Sequence, residues 1–401
     1  MLKDVAGSPA VTVVEHAAES ASSFAELGGV EVRGCDWSYL RSRHRATLAP
    51  DAGNAIRVVD LFSGVGGLTL GAVEAATSLG KPIDVRFAGD SEPAAIRCYR
   101  QNFPGANAIC GDLRSIFSED LNKRLSKAER DLRSRVGDLD LLLGGPPCQG
   151  HSDLNNYSRR DDPKNHLYAI MGRAAAVLNP RVVVIENVPG ARHDRSGSVR
   201  TTVDQLDALG YTVATRVVNA VDLGVAQSRK RLLVVAHKEG TFDLEAVIRT
   251  YQLNTRSVRW AISDIEHAEQ AGIMSQAASS NADTKRRIDF LFDNNLLDLP
   301  NEQRPPCHRN KSHSYMSVYG RLSWDKPAQT VTRGFYSMCM GRYVHPSQRR
   351  TLTAREAARL QFFPDFFDFS GANTRTAIAT LIGNAVPPKL IYPFVRELIL
   401  Q

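Results

Sequence analysis

The fold class is indicated most clearly by residues 56–80, which read IRVVDLFSGVGGLTLGAVEAATSLG. Residues 56–62 form an apolar run with β-branched side chains, which predicts a buried parallel strand. Residues 67–80 have the apolar spacing of a helix and end on a glycine that can cap it. In open α/β sheets, ligands bind at the carboxyl ends of the strands. The stretch therefore predicts an α/β fold with a ligand site at its glycine loop.

Strands and helices continue to alternate beyond this stretch. Further strands are predicted at 83–90, 138–145, 181–188, 211–219 and 231–236, and further helices at 92–103, 166–180, 199–210, 353–361 and 384–400. This alternation predicts a parallel-dominated sheet with helices on both faces. It fails where the chain becomes polar, irregular and rich in arginine, and we interpret that stretch as an inserted second domain. The predicted units are an N-terminal extension at 1–55, a main domain at 56–237, the insertion at 238–326, and a C-terminal part at 327–401 that returns to the main domain.

Composition narrows the class of protein. The 401 residues hold 50 Lys and Arg against 43 Asp and Glu, a net charge of +7, which suits a polyanionic partner without requiring one. The 6 cysteines are scattered without a CxxC pair, which predicts reduced thiols in the cytosol and no metal site. No run of 18 apolar residues occurs, so no membrane span is expected. The extension at 1–55, with a basic patch at 38–45, is interpreted as a surface arm; contact of this arm with DNA is the alternative.

The glycine loop DLFSGVGGLTLG, residues 60–71, lacks two common phosphate signatures. The dinucleotide fingerprint GxGxxG would need glycine where Thr69 stands, and the lysine of a Walker motif is absent. The loop therefore fits a nucleoside ligand without a pyrophosphate, such as S-adenosylmethionine; a structural turn is the alternative. Asp90 and Asp112 end the next two strand segments. Their carboxylates could accept from ribose hydroxyls and from an adenine amino group, although each could equally be a helix cap.

A second loop, GGPPCQGHS at 144–152, presents Cys148 directly after the predicted strand 138–145. Pro146 and Pro147 fix the backbone, and the glycines permit the close approach of a flat substrate. A rigid thiol at the carboxyl edge of a sheet is typical of nucleophilic catalysis. An incidental loop cysteine is the alternative.

Charged residues at the next strand ends supply partners for such a thiol. Glu186, in ENVPG, ends the following strand and is a candidate general acid. In QSRKR, residues 227–231, Arg229 and Arg231 alternate onto one face of the strand that follows. The two cations could favour the thiolate and bind a substrate carbonyl or phosphate. A solvated strand edge is the alternative.

Taken in chain order, these motifs resemble those of the cytosine-C5 DNA methyltransferases. The motifs that carry the resemblance are DLFSGVGGLTLG, GGPPCQGHS, ENVPG, QSRKR, RTLTAREAARLQFFPDFF and LIGNAVPPKL. They cover about 57–236 and 320–400, and the insertion at 238–326 falls where this family keeps its variable target-recognition domain. The resemblance implies a class I S-adenosylmethionine-dependent methyltransferase fold. Such a fold is Rossmann-like, with a mixed, mostly parallel sheet and helices on both faces, plus a smaller irregular target-recognition domain.

The resemblance also assigns residues to the cofactor S-adenosylmethionine. These residues are Phe62, Ser63, Gly64, Gly66, Gly67, Asp90, Ser91, Asp112, Leu113, Pro146, Asn384 and Ala385. Asn384 would close the pocket from the C-terminal helix. Two positions depart from the common pattern, because glutamate is commoner at Asp90 and many members carry an adenine-packing aromatic at Ser91.

By the same resemblance, Cys148 adds as a thiolate to C6 of cytosine, and Glu186 holds the N3 and N4 edge and supplies a proton. Arg231 would contact O2, with Arg229 near the substrate and the thiol. The base must first leave the duplex stack, and the polar loop 152–165 resembles the family's loop that closes over it. The substrate-binding residues that the resemblance implies are Gln149, Ser152, Asn155 and Gln227.

Duplex DNA is the expected partner, because the chain lacks the Cys-Phe-Thr tripeptide of the related tRNA-acting branch. A catalytically silent DNA-binding regulator is the other alternative, although 1–55 shows no helix-turn-helix pattern. Base readout is expected in 238–326 and 333–343. We expect a monomer in the cytoplasm, associated with the nucleoid, and a cognate restriction endonuclease acting on the same site is compatible with the family. The recognised DNA sequence is not readable from the chain.

Overall fold

A computed structural model of the chain describes residues 32–45, 53–121, 123–147, 167–193, 197–240, 242–269, 271–309 and 318–401. Several predictions made from the sequence fall elsewhere. The predicted nucleophile Cys148, the predicted substrate contacts Gln149, Ser152 and Asn155, and the loop at 152–165 lie outside the described residues.

One seven-stranded sheet forms the centre of the protein. Its strands are β1 Ile56–Leu61, β2 Ile83–Asp90, β3 Ala108–Cys110, β4 Leu141–Gly144, β5 Val182–Asn187, β6 Thr212–Asn219 and β7 Lys230–His237. They lie in the order β3-β2-β1-β4-β5-β7-β6. The pairs from β3 to β5 are parallel, and β7 runs antiparallel to both of its neighbours. The predicted mixed, mostly parallel sheet is confirmed.

Helices cover both faces of this sheet. In the described part of the chain they are α1 Val32–Arg41, α2 Gly67–Thr77, α3 Pro93–Asn102, α4 Lys127–Val136, α5 Leu167–Leu178, α6 Ser198–Ala208, α7 Leu244–Tyr251, α8 Val258–Ile262, α9 Gly272–Ser275, α10 Ala282–Asp293, α11 Ala354–Leu360, α12 Arg375–Asn384 and α13 Pro388–Leu400. On one face, α2 and α13 bury Leu68 and Ile391 against Leu143 of β4. On the other face, Met171 of α5 packs against Leu142. Successive side chains of β4 point to opposite faces of the sheet, so they pack into two separate apolar layers.

The packing continues past the predicted boundary at 238. Leu244 and Val247 of α7 are buried in the same layer as α2 and α13, because the amphipathic α7 turns its apolar face to the sheet. Helix α8 packs against α11. Residues 244–262, which the sequence assigns to the insertion, therefore belong by contact to the main body.

A separate, smaller core lies farther along the chain. It consists of Ile288, Leu291, Leu299, Tyr319, Met338 and Val344. Two short strands, β8 Gly320–Arg321 and β9 Arg342–Val344, pair in parallel beside it. We refer to residues 282–309 and 318–350 as the small lobe. This pairing spans the predicted boundary between 326 and 327, so residues on both sides of that boundary build the lobe.

Part of the N-terminal extension is also integral to the fold. The predicted surface arm at 1–55 contains α1, whose Asp36, Tyr39 and Leu40 are buried. Tyr39 stacks on Phe362 with ring centroids 6.0 Å apart. Asp36, Tyr39 and Leu40 therefore form part of the core instead of a surface arm, because one face of this helix packs against the C-terminal part of the chain.

Candidate active site

The glycine loop after β1 turns sharply at the carboxyl edge of the sheet. Phe62, Gly64 and Gly66 have φ angles of 56°, 53° and 93°, the left-handed region that favours glycine. A Cβ atom on Gly66 would overlap the Phe103 ring, whereas one on Gly64 would meet no atom within 4 Å. The loop is therefore packed on its inner side and leaves open space next to Gly64.

Asp90, at the end of β2, holds this loop in place. One carboxylate oxygen accepts from the backbone N–H of Gly64 at 2.8 Å, and the other accepts from the N–H of Glu92 at 2.8 Å. Burial raises the pKa of Asp90 above its usual value, and these backbone donors oppose that effect. Ser91, the next residue, is exposed. The predicted ribose-binding acid is thus part of the loop's own hydrogen-bond network.

The predicted adenine-binding acid has an ionic partner within the chain. Asp112 caps the short 3-10 turn Leu113–Ser115, and Arg114 donates to its carboxylate at 2.6 Å. The hydrogen bonds from Arg114 lower the pKa of Asp112. Leu113 is buried beneath Gly89 of β2. An adenine amino group at this position would share the carboxylate with Arg114.

The C-terminal segment closes against the glycine loop from behind. A Cβ atom on Gly67 would overlap the carbonyl oxygen of Val386, so only glycine allows this approach. Ala385 is buried next to it. Asn384 is exposed and is the last residue of α12. The predicted helix 384–400 therefore begins later than expected, at Pro388, because Asn384 ends α12 and a short non-helical segment follows it. The predicted role of Asn384 at the cofactor pocket stays a prediction.

Glu186 and Arg231 form an ion pair at the other end of the same edge. The Arg231 Nε lies 2.6 Å from Glu186 Oε1, and both side chains are largely buried. A Cβ atom built on Gly145 would lie 3.6 Å from Glu186 Oε2, so the second oxygen faces the GGPP turn. Asn187 donates from its side-chain amide to the Pro146 carbonyl at 3.2 Å. The end of β5 and the turn that leads to Cys148 are therefore held together.

Arg229 and Arg231 have different partners, although the sequence predicts that they share a face. Arg229 is buried, and its guanidinium donates to the carbonyls of Val331 at 3.1 Å and Gly383 at 3.3 Å. It thereby joins the chain before β7 to the C-terminal segment. Its predicted place near the substrate stays a prediction, since Cys148 is outside the described residues.

Gln227 does not have the exposure that its predicted contact with substrate requires. Its side chain is 0% exposed. The amide nitrogen donates to the Leu360 carbonyl at 3.0 Å and to Gln361 Oε1 at 2.9 Å, and its oxygen accepts from the Val331 N–H at 2.7 Å. These bonds leave no open side to the amide, so in this structure Gln227 braces the C-terminal segment.

Two features of the site are absent from the sequence-based predictions. Asn187, which bridges to the GGPP turn, follows Glu186 and could have been found from its strand-end position. Thr69, noted only as a departure from the dinucleotide fingerprint, donates to Asp60 Oδ2 at 2.6 Å and lies 2.7 Å from the Tyr99 hydroxyl. Burial raises the pKa of Asp60 to about 7. A buried polar chain therefore runs beneath the glycine loop.

The described ranges contain neither a candidate metal site nor a membrane-spanning helix. Within the described ranges, no group of three or more His, Cys, Asp and Glu side chains is placed to hold a metal ion. None of the helices in those ranges is long and apolar enough to cross a membrane.

The sheet order, with a glycine loop and strand-end acids along one edge, defines a class I methyltransferase fold. A model of the family described as C-5 cytosine-specific DNA methylase matches residues 56–400. The chain belongs to this family and is a DNA (cytosine-5-)-methyltransferase, so the predicted membership is confirmed. It transfers a methyl group to C5 of cytosine.

Relatives agree with this assignment, and solved structures share the fold. Type II methyltransferase M1.BsuMI of Bacillus subtilis (strain 168) is 44% identical over 357 residues, which is 89% of this chain and 83% of that protein. Type II methylase M.HgiDII of Herpetosiphon aurantiacus is 33% identical over 344 residues, covering 83% of this chain and 92% of its own length. The fold is similar to that of the S. pombe Dnmt2 methyltransferase, with a TM-score of 0.60, 19% identity, and coverage of 86% of this chain and 98% of that one. Entamoeba histolytica methyltransferase EhMeth gives a TM-score of 0.55 at 17% identity, with coverage of 86% and 98%.

Proposed function

We propose that the two ends of this sheet edge divide the reaction between them. S-adenosylmethionine binds at the glycine loop, and a cytosine extruded from a specific duplex DNA sequence binds between Cys148 and Glu186. The observation that carries this proposal is the Glu186–Arg231 ion pair beside the GGPP turn, on the same edge as the glycine loop. Members of such a pair normally stay solvated, so their burial together at a strand end is typical of a functional site.

The residues of the glycine loop fit the proposed cofactor. The side-chain oxygen of Ser63 is buried and makes no hydrogen bond within the described part of the chain, which leaves a polar group for a ligand. Open space lies next to Gly64, and the Asp90 carboxylate stands directly behind it. When bound, S-adenosylmethionine supplies an electrophilic methyl group carried on a sulfonium. The residues proposed to hold it are Phe62, Ser63, Gly64, Gly66, Gly67, Asp90, Ser91, Asp112, Leu113, Pro146, Asn384 and Ala385.

The protein's own residues perform the chemistry on the base. The thiolate of Cys148 forms a bond to C6 of cytosine, which raises the electron density at C5. Arg231 occupies Oε1 of Glu186, so Oε2, which faces the turn, is the oxygen available to the N3 and N4 edge and to the proton at N3. Once C5 carries the methyl group, water takes the C5 proton, and the C5=C6 double bond forms again as the S–C6 bond breaks. Cys148 leaves as a thiolate, and N3 returns its proton to Glu186.

Roles beyond this pair follow from position. Arg231 orients Glu186 and lies within reach of O2 of the base. Arg229 has its guanidinium on two backbone carbonyls, so we assign it to the support of the target site. Gln149, Ser152 and Asn155 are proposed to contact the target strand from the loop after Cys148. Recognition of the DNA sequence is assigned to the small lobe, which includes residues 333–343, because base contacts specify the sequence whereas phosphate contacts only position the protein.

The setting follows from the proposed substrate. The partner is double-stranded DNA, and a monomer is sufficient because one chain supplies both ends of the sheet edge. Such an enzyme works in the cytoplasm, on the nucleoid. A cognate restriction endonuclease would act on the same sequence without contacting this chain.

A trapping experiment tests the proposal. The protein is incubated with S-adenosylmethionine and a duplex containing 5-fluorocytosine, whose C5 cannot lose a proton, and the digested peptides are weighed. We expect the adduct on the peptide that contains residues 144–152. Methylated DNA without an adduct on that peptide would rule out Cys148 as the nucleophile. Parallel assays with a tritiated methyl donor and either duplex DNA or tRNA separate the two nucleic acids, and bisulfite sequencing of cellular DNA then identifies the recognised sequence.

A further inference from the structure

A cluster of three buried charges joins distant parts of the chain. Asp36 of α1 is 0% exposed, and Lys389 and Arg256 are also buried. The Lys389 Nζ lies 2.7 Å from Asp36 Oδ1, and the Arg256 Nη2 lies 2.7 Å from Asp36 Oδ2. Charges removed from water are tolerated only when they are paired. Asp36 therefore pairs with two buried cations at once.

Lys389 connects this cluster to the glycine loop. It stands in the first turn of α13, directly after the segment whose carbonyls lie against α2. A Cβ atom on Gly67 would overlap the Val386 carbonyl, and one on Gly71 would overlap the Pro388 carbonyl. A contact with so little clearance transmits any shift of α13 to the start of α2. The position of Lys389 is therefore coupled to the position of the loop.

Arg256 connects the same carboxylate to the target end of the sheet edge. Its Nη1 donates to the Gly224 carbonyl at 3.0 Å, in the turn that precedes residues 227–231. Its guanidinium also lies 4.2 Å from the ring centre of Trp260. The second branch of the cluster therefore ends beside the segment that contains Arg229 and Arg231.

A neighbouring residue braces the loop from the opposite side. Arg45, just after α1, donates to the Asn102 carbonyl at 2.9 Å, and its guanidinium lies 5.1 Å from the ring centre of Phe103. The rings of Phe103 and Tyr99 stand against Gly66. The segment 32–45 is thus linked to the glycine loop by two routes. One runs through Lys389 and the start of α13, and the other runs through Arg45 and Phe103.

We propose that Asp36 is a positioning residue for cofactor binding. By pairing with Lys389, it holds the first turn of α13 against α2 and keeps the glycine loop in the shape that receives S-adenosylmethionine. The helix that carries Asp36 lies outside residues 56–400, which match the family model. The proposal rests on the proposed function in one respect, namely that the cofactor binds at this loop.

The matched control is Asp140, a second hydrogen-bonded carboxylate. It lies directly before β4, at the amino ends of the parallel strands, whereas the glycine loop lies at their carboxyl ends. Asp140 accepts from the Arg57 Nε at 2.8 Å, from the Nη2 at 2.9 Å and from the backbone N–H at 2.9 Å. Arg57 stands near the beginning of β1, whereas the glycine loop follows its end. Loss of either carboxylate destabilises the fold, but only Asp36 is linked to the loop.

The test measures S-adenosylmethionine binding by isothermal titration calorimetry on the full chain, for the wild type, Asp36→Ala, Asp36→Asn and Asp140→Asn. Both Asp36 variants are expected to raise the Kd by about tenfold, since a shift of about 1 Å in a binding group can weaken an interaction by orders of magnitude. The kcat at saturating cofactor and DNA is expected to stay near the wild-type value. Asp140→Asn is expected to lower the melting temperature and leave the Kd unchanged at a temperature where all variants are folded.

Three results would overturn the proposal or its basis. Wild-type Kd values in the Asp36 variants, or an equal rise in Asp140→Asn, would reduce Asp36 to a purely stabilising residue. A wild-type protein that binds no S-adenosylmethionine would instead overturn the proposed function. If Asp36→Ala does not fold, Asp36→Asn decides the question, because it keeps the size of the side chain and an oxygen for Lys389 while removing the charge.

Discussion

The catalytic edge of the sheet and the small lobe both contain ion pairs, but they differ in exposure to water. At the sheet edge, the side chains of Arg231 and Glu186 are 13% and 10% exposed. In the small lobe, those of Arg349 and Asp293 are 47% and 59% exposed. A buried pair fixes a geometry, whereas a pair in water is screened by salt and can exchange its partner for a phosphate. The Arg231–Glu186 pair is therefore suited to position atoms, and the Arg349–Asp293 pair is suited to exchange with a charged partner.

Removal of the proposed nucleophile at the sheet edge should have the largest effect on methyl transfer. We expect Cys148→Ser to reduce methyl transfer by at least about a thousandfold, because a hydroxyl is far less nucleophilic than a thiolate at neutral pH. A filter assay with a tritiated methyl donor measures the rate. Calorimetric binding of S-adenosylmethionine should be unchanged, which shows that the variant is folded. Transfer at the wild-type rate would contradict the assignment.

Glu186→Gln should have the next largest effect. The amide keeps the size of the side chain but loses the charge that pairs with Arg231, and it cannot exchange a proton with N3 of the base, so kcat should fall by roughly 100- to 10,000-fold. Single-turnover kinetics on a DNA duplex measure this loss. Asp293→Asn, an acid exposed in the small lobe, is the control and should leave the single-turnover rate within about twofold, because exposed pairs contribute little.

Substitution of one glycine by alanine in each region tests how much space for a methyl group each region has. In Gly67→Ala, the new methyl group would overlap the backbone carbonyl of Val386, so we expect a loss of about 1–3 kcal/mol in unfolding free energy and weaker cofactor binding. In Gly320→Ala of the small lobe, the nearest atoms are the Arg342 Cγ at 2.8 Å and Cβ at 3.1 Å, which belong to a side chain and not to a backbone carbonyl. Urea denaturation should show the smaller loss for Gly320→Ala. Equal losses would mean that the approach of α2 to Val386 is not tight.

Substitutions of acids in the two regions should also differ in their effect on the pH dependence of the unfolding free energy. Burial raises the pKa of Asp60 to about 7, so the folded chain keeps a proton that the unfolded chain releases near pH 4. The contribution of Asp60 to the unfolding free energy therefore falls as the pH rises from about 4 to about 7 and is level above that, by about 1.4 kcal/mol per pKa unit. Burial lowers the pKa of His345 to about 4, so this group contributes the opposite slope below its usual pKa.

Asp60→Asn cannot titrate and should flatten this slope in urea denaturation at several pH values. Glu74, whose pKa burial also raises to about 7, should leave a residual slope. The exposed acid variant Asp293→Asn should keep the wild-type slope. A wild-type slope in Asp60→Asn would show that Asp60 is ionised throughout this pH range.

The smallest expected effect lies in the small lobe. Arg349 pairs with Asp289 and Asp293 in water, so Arg349→Gln should leave the melting temperature nearly unchanged. If Arg349 exchanges these partners for a DNA phosphate, the plot of log affinity against log salt should lose about one unit of slope. Fluorescence anisotropy with a labelled duplex measures that slope. An unchanged slope would remove Arg349 from the DNA contact surface.

Much of the sheet could be predicted because the signal is local. The predicted strand 83–90 matches β2, since β-branched and aromatic residues in a short apolar run determine it. Helix α4 was not predicted, because it is highly charged and buries only part of one face. Ser126 and Glu129 form a capping box that could have located its start. The antiparallel direction of β7 could not be read, since strand periodicity contains no information on direction.

The site was less predictable where burial depends on distant residues. Glu186 and Asp90 follow from strand ends, which a single sequence reveals. The burial of Gln227 depends on Val331 and Leu360, which are far away along the chain. A polar residue in a motif therefore looks the same in sequence whether it contacts a substrate or braces the fold. The docking of α1 escaped prediction for the same reason.

The contact between Gly67 and Val386 has a consequence for biosynthesis. The loop that follows β1 is translated early, but the backbone that closes behind it is translated near the end. While the ribosome is still adding α12 and α13, the glycine loop lacks the backbone that packs behind it. The packing of this loop is therefore completed only after synthesis, once the residues near 386 have left the ribosome.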